Sequence, residues 1–93
     1  MKNKSKLIID EYGNKYWYLN EKLHKKDGPA VEHIYGYKAW YFNGKLHRTD
    51  GPAIEEGEYK VWFLNNRKVQ REDVIDISSN ITEREYIEFV INL

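Results

Sequence analysis

Apolar and polar residues alternate with a period of two in three separate runs of the chain. The runs cover residues 15–19, 38–42 and 60–64, and each has a tryptophan at its centre. Alternation of this kind, with aromatic and β-branched residues, predicts β-strands. Asn43-Gly44, directly after the second run, is a strong signal for a type I′ turn, in which both central residues need a positive φ. The pattern therefore predicts a long strand, a tight turn and a short return strand in each run.

The residues around these runs form a repeat. The segment WYLNEKLHKKDGPA over 17–30 recurs as WYFNGKLHRTDGPA over 40–53, 23 residues later. A third, degenerate copy, WFLNNRKVQRED, covers 62–73, and in it we align Gln70 with the histidine of the other copies. A unit that cannot bury its own apolar side gains stability by stacking on its neighbour. The chain is therefore predicted to form an antiparallel β-meander of about three hairpin repeats.

Each complete copy ends in an Asp-Gly-Pro-Ala loop whose residues have local structural reasons. Asp can cap its own turn through an Asx hydrogen bond, Gly accepts unusual backbone angles, and Pro removes a donor at the start of the next strand. We assign these residues, with the repeated tryptophans and histidines, to the scaffold. The structural set is Trp17, Trp40, Trp62, His24, His47, Asp27, Asp50, Gly28, Gly51, Pro29 and Pro52.

The pattern changes after Asp73. Thr82-Glu83-Arg84-Glu85 has the form of a capping box, which marks the start of a helix. An apolar stripe at helical spacing follows, formed by Tyr86, Phe89, Val90 and Leu93. We predict a single, mainly β domain in which residues 1–76 form the repeat sheet and residues 77–93 form one C-terminal capping α-helix. Such a helix would cover one face or one end of the sheet.

Composition narrows the classes of function. The chain has 93 residues, 15 Lys plus Arg, 15 Asp plus Glu and no cysteine. Zero net charge argues against a strongly basic nucleic-acid binder, and the lack of cysteine excludes disulfides and thiolate metal sites. The apolar run Leu7-Ile8-Ile9 is far shorter than a signal peptide core or a membrane span. We therefore expect a small cytoplasmic protein without a membrane span.

The repeat motif resembles a known family. The aromatic strand, Asn-Gly-Lys, Leu-His-Arg and Asp-Gly-Pro-Ala together are similar to the MORN-type β-hairpin repeat over about residues 12–73. The closest likeness is to the WY-NGK-LHR-DGPA variant found in bacteriophage and giant-virus proteins. The resemblance implies a β-meander scaffold that makes protein contacts and has no catalytic residues. It also suggests a phage-encoded protein that inhibits a host factor, such as a defence protein, in the host cytoplasm.

The histidines could in principle serve two kinds of chemistry, general base catalysis and metal binding. His-x-x-Asp-Gly occurs in both complete copies, and a carboxylate can orient an imidazole as a general base. A group that recurs in every copy is better explained by what each copy needs in order to fold, so we assign these histidines to turn hydrogen bonds and expect no enzyme. Histidines a full repeat apart would be separated by several strands, so we expect no metal site and no cofactor.

Strand alternation separates a tryptophan face from an opposite face that is also aromatic. We predict that the tryptophan face is the core and that the opposite stripe is partly open for a protein partner. Whether the C-terminal helix covers this stripe is left open by the pattern. The predicted partner-binding residues are Tyr16, Tyr18, Tyr41 and Phe63 of the stripe, with Tyr35, Tyr37, Lys45 and Arg48.

Two other kinds of partner fit the same sequence. Aromatic residues interleaved with Lys and Arg could contact nucleic acid through stacking and phosphate contacts, which is the alternative function. Exposed strand edges or the aromatic stripe could also join two copies in a symmetric homodimer. A non-enzymatic protein-binding module is the main prediction.

Overall fold

A computed structural model describes residues 4–74, which form ten short β-strands and one helical turn. The strands are β1 (Ser5–Ile9), β2 (Lys15–Leu19), β3 (Lys22–Leu23), β4 (Val31–Glu32), β5 (Lys38–Ala39), β6 (Tyr41–Phe42), β7 (Lys45–Leu46), β8 (Ile54–Glu56), β9 (Tyr59–Leu64) and β10 (Arg67–Val69). Residues 71–74 are helical. The predicted antiparallel meander, mainly β with a short helix towards the C-terminus, is confirmed. The helix predicted over 77–93 lies outside the described residues.

The strands follow one another across the sheet almost in chain order. The main sheet has the order β1-β2-β4-β5-β8-β9-β10, and β3 pairs with β2 beside this path. Strands β6 and β7 form a separate two-stranded hairpin. Every strand pair in the described residues is antiparallel. This order places the repeats side by side, so that each one buries part of its surface on the next.

Each complete copy changes its pairing partner at the tryptophan. The first half of β2 pairs with β4, and its second half pairs with β3. Between the halves, Trp17 donates its N–H to the carbonyl of Ala30 at 2.8 Å and accepts the N–H of His24 at 2.9 Å. Trp40 forms the same two bonds one repeat later, at 2.8 and 3.0 Å. The loop that follows the return strand therefore brings the chain back to the same edge of the tryptophan strand, where the next strand pairs with it.

The three tight turns share one backbone conformation. Both central residues have positive φ in each of them: 50° and 69° at Asn20-Glu21, 51° and 80° at Asn43-Gly44, and 51° and 68° at Asn65-Asn66. Paired positive φ values belong to the type I′ turn, whose twist matches that of the flanking strands. Asparagine tolerates this region, and Glu21 is the residue least suited to it.

The structure corrects the alignment of the third copy. Val69, not Gln70, occupies the histidine position, because it pairs with Trp62 across the hairpin. The one-residue difference arises earlier: four residues (56–59) lie between the paired Glu55 and Lys60, whereas five (33–37) lie between the equivalent pair, Glu32 and Lys38. Gln70 instead precedes the helical turn: its N–H donates to the Asp73 carboxylate at 3.1 Å, which is half of a capping box.

The fully buried side chains are small and lie on both sides of the sheet. The buried apolar residues are Ala30, Val31, Ala39, Ala53, Val61, Leu64 and Val74. Leu64 and Val74 pack together with Trp62 and Val69, so the helical turn lies on the tryptophan face. The prediction of a core on that face is correct for Leu64, which is buried. It is wrong for the tryptophans themselves, which are only half-buried. The buried residues Val31, Ala39 and Val61 lie on the opposite face, so the core is not confined to one side.

Cations cover the two tryptophans of the complete copies. The Lys25 ammonium lies 3.9 Å from the ring centre of Trp17, and the Arg48 guanidinium lies 3.8 Å from that of Trp40. Arg48 also donates to the Asp50 carboxylate at 2.9 Å and to the Pro52 carbonyl at 3.0 Å. A cation that lies over an aromatic ring can keep water on its outer side. The tryptophan ring is therefore covered by a charged side chain and is only half-buried.

Gly51 is needed for the close approach of Arg48. A Cβ atom at this position would lie 2.7 Å from the guanidinium carbon of Arg48. The equivalent Gly28 has more room, because the nearest atom to its Cβ position would be the Lys25 Nζ at 3.4 Å. The two glycines of the repeat thus differ in how much a methyl group would disturb them.

We expect Gly51→Ala to lower the free energy of unfolding by about 1 kcal/mol, because the methyl group displaces Arg48 from Trp40 and from its carbonyl partner. The matched change Gly28→Ala should be neutral or stabilising by about 0.4–1 kcal/mol, since it restricts only the unfolded chain. Urea unfolding followed by tryptophan fluorescence measures both. In an Arg48→Ala background the penalty at position 51 should disappear, and an unchanged penalty there would contradict this explanation.

Candidate protein-binding surface

Strand register assembles one continuous aromatic face. Residues paired directly across antiparallel strands share a face. One such row crosses six strands and consists of Ile8, Tyr16, Val31, Ala39, Ile54 and Val61. Aromatic residues lie two positions before or after members of this row and hence on the same side. We call Tyr16, Tyr18, Tyr37, Tyr41, Tyr59 and Phe63 the aromatic face.

The opposite side carries charge at the same level of the sheet. The row there consists of Lys15, Glu32, Lys38, Glu55 and Lys60. Positive and negative side chains alternate along it, so each lysine has a glutamate on the neighbouring strand. Opposite charges facing each other across strands stabilise the register. At this level of the sheet the two faces are therefore chemically distinct, one apolar and aromatic and the other charged.

A histidine joins two tyrosines within the aromatic face. The His33 ring centre lies 5.9 Å from that of Tyr16 and 5.0 Å from that of Tyr37. The Tyr16 hydroxyl is 3.3 Å from His33 Nε2 and 3.4 Å from the Asp10 carboxylate. Burial raises the pKa of Tyr16, and the Asp10 charge adds to this effect. The Tyr16 hydroxyl thus stays protonated and is held in place on the surface.

Tyr37 links this group to the middle and to the end of the sheet. Burial raises the pKa of Tyr37, and the nearby ionisable groups of Tyr41, Glu56 and Tyr59 raise it further. By strand register, Tyr37 and Tyr41 lie two residues before and after Ala39 on the same side, and Tyr59 lies two strands away, beyond β8. The aromatic face therefore extends from the strands to the turns.

The turns at one end of the sheet expose a second group of large side chains. The β1–β2, β4–β5 and β8–β9 connections all lie at this end, because alternate turns of a meander share an end. The Asn14 side chain accepts the Ile34 N–H at 2.9 Å and so joins the first two connections. We call the exposed residues Tyr12 (69%), Ile34 (53%), Tyr35 (89%) and Tyr59 (62%) the aromatic rim.

The structure brings together some of the residues predicted to bind a partner and separates others. Tyr16, Tyr18, Tyr41 and Phe63 share the aromatic face with Tyr37, whereas Tyr35 belongs to the rim. Lys45 and Arg48 lie apart from them. Lys45 pairs with Phe42 on the tryptophan side of the β6–β7 hairpin, and the Arg48 side chain, stacked on Trp40, is only 20% exposed.

Sequence reasoning missed Tyr12, Ile34 and Tyr59 as candidate surface residues. Tyr12 lies in the turn before the first copy, whereas Ile34 and Tyr59 lie at or beside turns that connect copies, and all three are outside the repeated motif. The difference in sequence between the 33–37 and 56–59 segments could have indicated Ile34 and Tyr59, since a repeat scaffold usually varies where it binds; it carries no signal for Tyr12. Their exposure depends on the sheet order, which puts all three turns at one end.

The repeated histidines connect consecutive copies. His24 Nδ1 accepts the N–H of Asn43 at 2.9 Å, and His47 Nδ1 accepts the N–H of Asn65 at 3.0 Å. Each donor is the first residue of the next copy's tight turn. An Nδ1 atom that accepts a hydrogen bond is unprotonated, so both rings are neutral with the proton on Nε2. Burial lowers the pKa of both histidines, which favours this neutral form.

A small pocket of about 300 Å³ lies on the tryptophan side, beside the helical turn. It is lined by Asp50, Gly51, Pro52, Lys60, Trp62, Arg71 and Val74. Within residues 4–74, no group of three or more His, Asp or Glu side chains is arranged to hold a metal ion. The same stretch contains no helix that is long and apolar enough to cross a membrane.

Comparisons with known proteins find no family model, no curated protein and no solved structure that matches the chain. The likeness to MORN-type repeats, which rests on the sequence motif, stays a prediction. The functional assignment therefore depends on the geometry of this chain. That geometry offers an aromatic surface on a sheet whose copies are joined by hydrogen bonds.

We expect the free energy of unfolding to fall as the pH decreases from 7 to 5. The unfolded histidines take up protons near pH 6.5, whereas the folded pKa values of His24 and His47 lie below this, so the unfolded chain binds more protons in this interval. Protonation at Nδ1 also removes the acceptor for the turn N–H. Urea unfolding at a series of pH values measures the slope.

The double variant His24→Asn/His47→Asn tests this assignment. An asparagine Oδ1 atom can accept the same N–H without titrating, so the variant should fold and its stability should be nearly independent of pH in this interval. His33→Asn serves as the matched control, because His33 lies outside the contacts between copies, and it should keep the slope. An unchanged slope in the double variant would assign the pH dependence to other groups.

Proposed function

We propose that this chain is a non-enzymatic protein-binding module whose contact surface is the aromatic rim together with the adjoining aromatic face. The observation that carries the proposal is the exposure of four large side chains at one end of the sheet, one of which, Tyr59, also belongs to the aromatic face. Contiguous exposed apolar surface of this kind marks interaction sites. Tyrosine is well suited to them, because it combines a large rigid ring with a polar tip.

The scaffold beneath this surface supports binding by limiting its freedom. Small buried residues, Val31, Ala39 and Val61, form the floor between the tyrosines. The histidine bonds join each copy to the next turn. Side chains that are already held in place lose less conformational entropy when a partner binds, so more of the contact energy appears as affinity.

A nucleic-acid-contacting role is the alternative and has less support. Lys25 and Arg48 lie over tryptophans on the opposite side from the aromatic face. The lysines of the charged row alternate with Glu32 and Glu55. A phosphate backbone needs a concentration of positive charge next to the stacking surface. Here the lysine row is on the other face, and the lysines that pair with aromatic-face residues, Lys6 with Tyr18 and Lys68 with Phe63, are on the two outermost strands of the sheet.

A narrower form of the proposal is an inhibitor of a host protein, encoded by a phage and acting in the host cytoplasm. It rests on the sequence resemblance to repeats of phage and giant-virus proteins. A small module with a rigid aromatic surface would inhibit by covering part of its target, since this mode needs no chemistry at the contact.

Site-specific photo-crosslinking tests which side of the sheet binds. A benzophenone amino acid at position 59 should form a crosslink to the partner in host extract, whereas the same group at position 60 should not. Tyr59 and Lys60 are adjacent and both exposed but point to opposite faces, so they form a matched pair. Equal crosslinking at both positions, or at position 60 alone, would overturn the assignment of the aromatic face.

For the captured partner, we expect Tyr35→Ala/Tyr59→Ala to weaken binding by roughly 30-fold or more, because central aromatic residues dominate protein interfaces. Lys60→Ala should change it little. Titration calorimetry measures the affinity, and circular dichroism checks that each variant is folded. If the captured molecule is a nucleic acid and its affinity falls steeply with salt, the alternative role replaces the proposal.

A further inference from the structure

Strand β1 forms one outer edge of the sheet and is exposed along its whole length. It pairs with β2 on one side, and its other side has no strand partner among residues 4–74. Leu7, Ile8 and Ile9 are 45%, 40% and 55% exposed, respectively. The strand contains neither proline nor a bulge, the two features that most directly prevent an edge from pairing with another chain.

The hydrogen-bond pattern shows which backbone groups of β1 point outwards. The Asn20 N–H donates to the Lys4 carbonyl at 2.9 Å, and the Asp10 N–H donates to the Asn14 carbonyl at 3.0 Å. In an antiparallel pair, alternate residues direct both backbone groups towards the partner. Lys4, Lys6, Ile8 and Asp10 therefore face β2. The N–H and C=O groups of the intervening residues, Ser5, Leu7 and Ile9, face away from it.

We propose that this edge pairs with the same edge of a second copy, antiparallel, about a two-fold axis at Leu7. In this register Leu7 faces Leu7 of the second copy, and each Ser5 faces Ile9. All three residues have outward-facing backbone groups, so the contact forms six hydrogen bonds across the axis. The same register brings the exposed Leu7 and Ile9 side chains of both copies together and removes apolar surface from water.

Charge and the length of the strand together select this register over its neighbours. With the axis at Leu7, Lys4 faces Asp10 of the second copy, and Lys6 lies diagonally from the same carboxylate. An axis at Ser5 would place Lys4 opposite Lys6, which is repulsive. An axis at Ile9 would place Ile8 opposite Asp10 and Leu7 opposite Glu11. An axis at Lys6 would place the two Lys6 residues opposite each other. An axis at Ile8 would pair Lys6 with Asp10 and Leu7 with Ile9, but it places Ser5 opposite Glu11 in the β1–β2 turn, so only four hydrogen bonds form within the strand. The Leu7 axis lies at the centre of the strand and combines opposite charges and apolar contacts with all six hydrogen bonds.

The dimer would also double the proposed binding surface. A two-fold axis perpendicular to the sheet keeps equivalent faces on the same side, so the two aromatic faces become one continuous surface. Ile8 and Tyr16, paired across β1 and β2, lie next to this junction. The pairing itself is independent of the proposed function, because it uses a different edge and needs no other protein.

Sedimentation over a range of concentrations tests the pairing with the full chain. The unmodified protein should reach a dimer, and Leu7→Lys should weaken dimerisation at least tenfold, because two like charges then meet on the axis. Tyr35→Lys makes the same kind of change on the rim and should leave the dimer intact. Lys4→Glu, which faces Asp10 across the axis, should also weaken it. A monomer at all concentrations, or a dimer insensitive to Leu7→Lys, would overturn the proposal.

Amide hydrogen exchange gives a second readout that does not depend on a variant. On dimerisation the Ser5, Leu7 and Ile9 amides should become protected, whereas Lys6 and Ile8 should be protected in monomer and dimer alike. If the odd-numbered amides are protected independently of concentration in a monomer, another part of the same chain covers the edge. If they exchange rapidly in a dimer, the copies meet through a different surface. Either result would exclude pairing through β1.

Discussion

The backbone hydrogen bonds of Trp17 and Trp40 are the interaction on which the rest of the structure depends. At these residues a strand leaves one partner for another, and a buried N–H or C=O without a partner would be costly. Ala30 and Ala53 accept the N–H groups, and His24 and His47 donate to the carbonyls. The loop must therefore return to the edge of the tryptophan strand. Its Gly-Pro-Ala residues are small, so the chain can make this return over a few residues.

This constraint also explains how the copies stack. Once the loop has returned, each histidine ring lies against the next copy and accepts the first N–H of its tight turn. Each repeated residue of the motif then has a defined role: the tryptophan carries a cation over its ring, and the glycine leaves room for that cation. A sheet held together in this way is stable with a core of small side chains, and its large aromatic residues remain available at the surface.

The surface that results has three parts with separate physical characters. The aromatic face and rim offer rigid contact area, the opposite row alternates in charge, and β1 offers unpaired backbone groups. None of these parts brings together a nucleophile, a base and an oxyanion donor, which together would suggest chemistry. The proposed binding module would use these parts, because apolar area and strand edges both act through contact.

Periodicity and turn residues were enough to predict the strands, the three hairpins and the meander, since these depend on residues close together in the chain. The alignment at Gln70 failed because pairing across the hairpin, and not spacing from the previous copy, determines the register there. The face shared by Tyr16, Tyr18, Tyr41 and Phe63 followed from strand alternation. The exposure of Tyr12, Ile34 and Tyr59 did not, because it depends on how the neighbouring strands and turns pack around them.

The sequence by itself thus determined the repeat, its hairpins and the residues that alternate between the two faces. Only the tertiary structure decided which side chains are buried, which cations cover the tryptophans and where the exposed aromatic residues gather. The physical reason is distance along the chain: the contacts that join the copies connect residues 18 and 19 positions apart. Such contacts depend on the register of whole strands, and a one-residue change in a turn is enough to shift them.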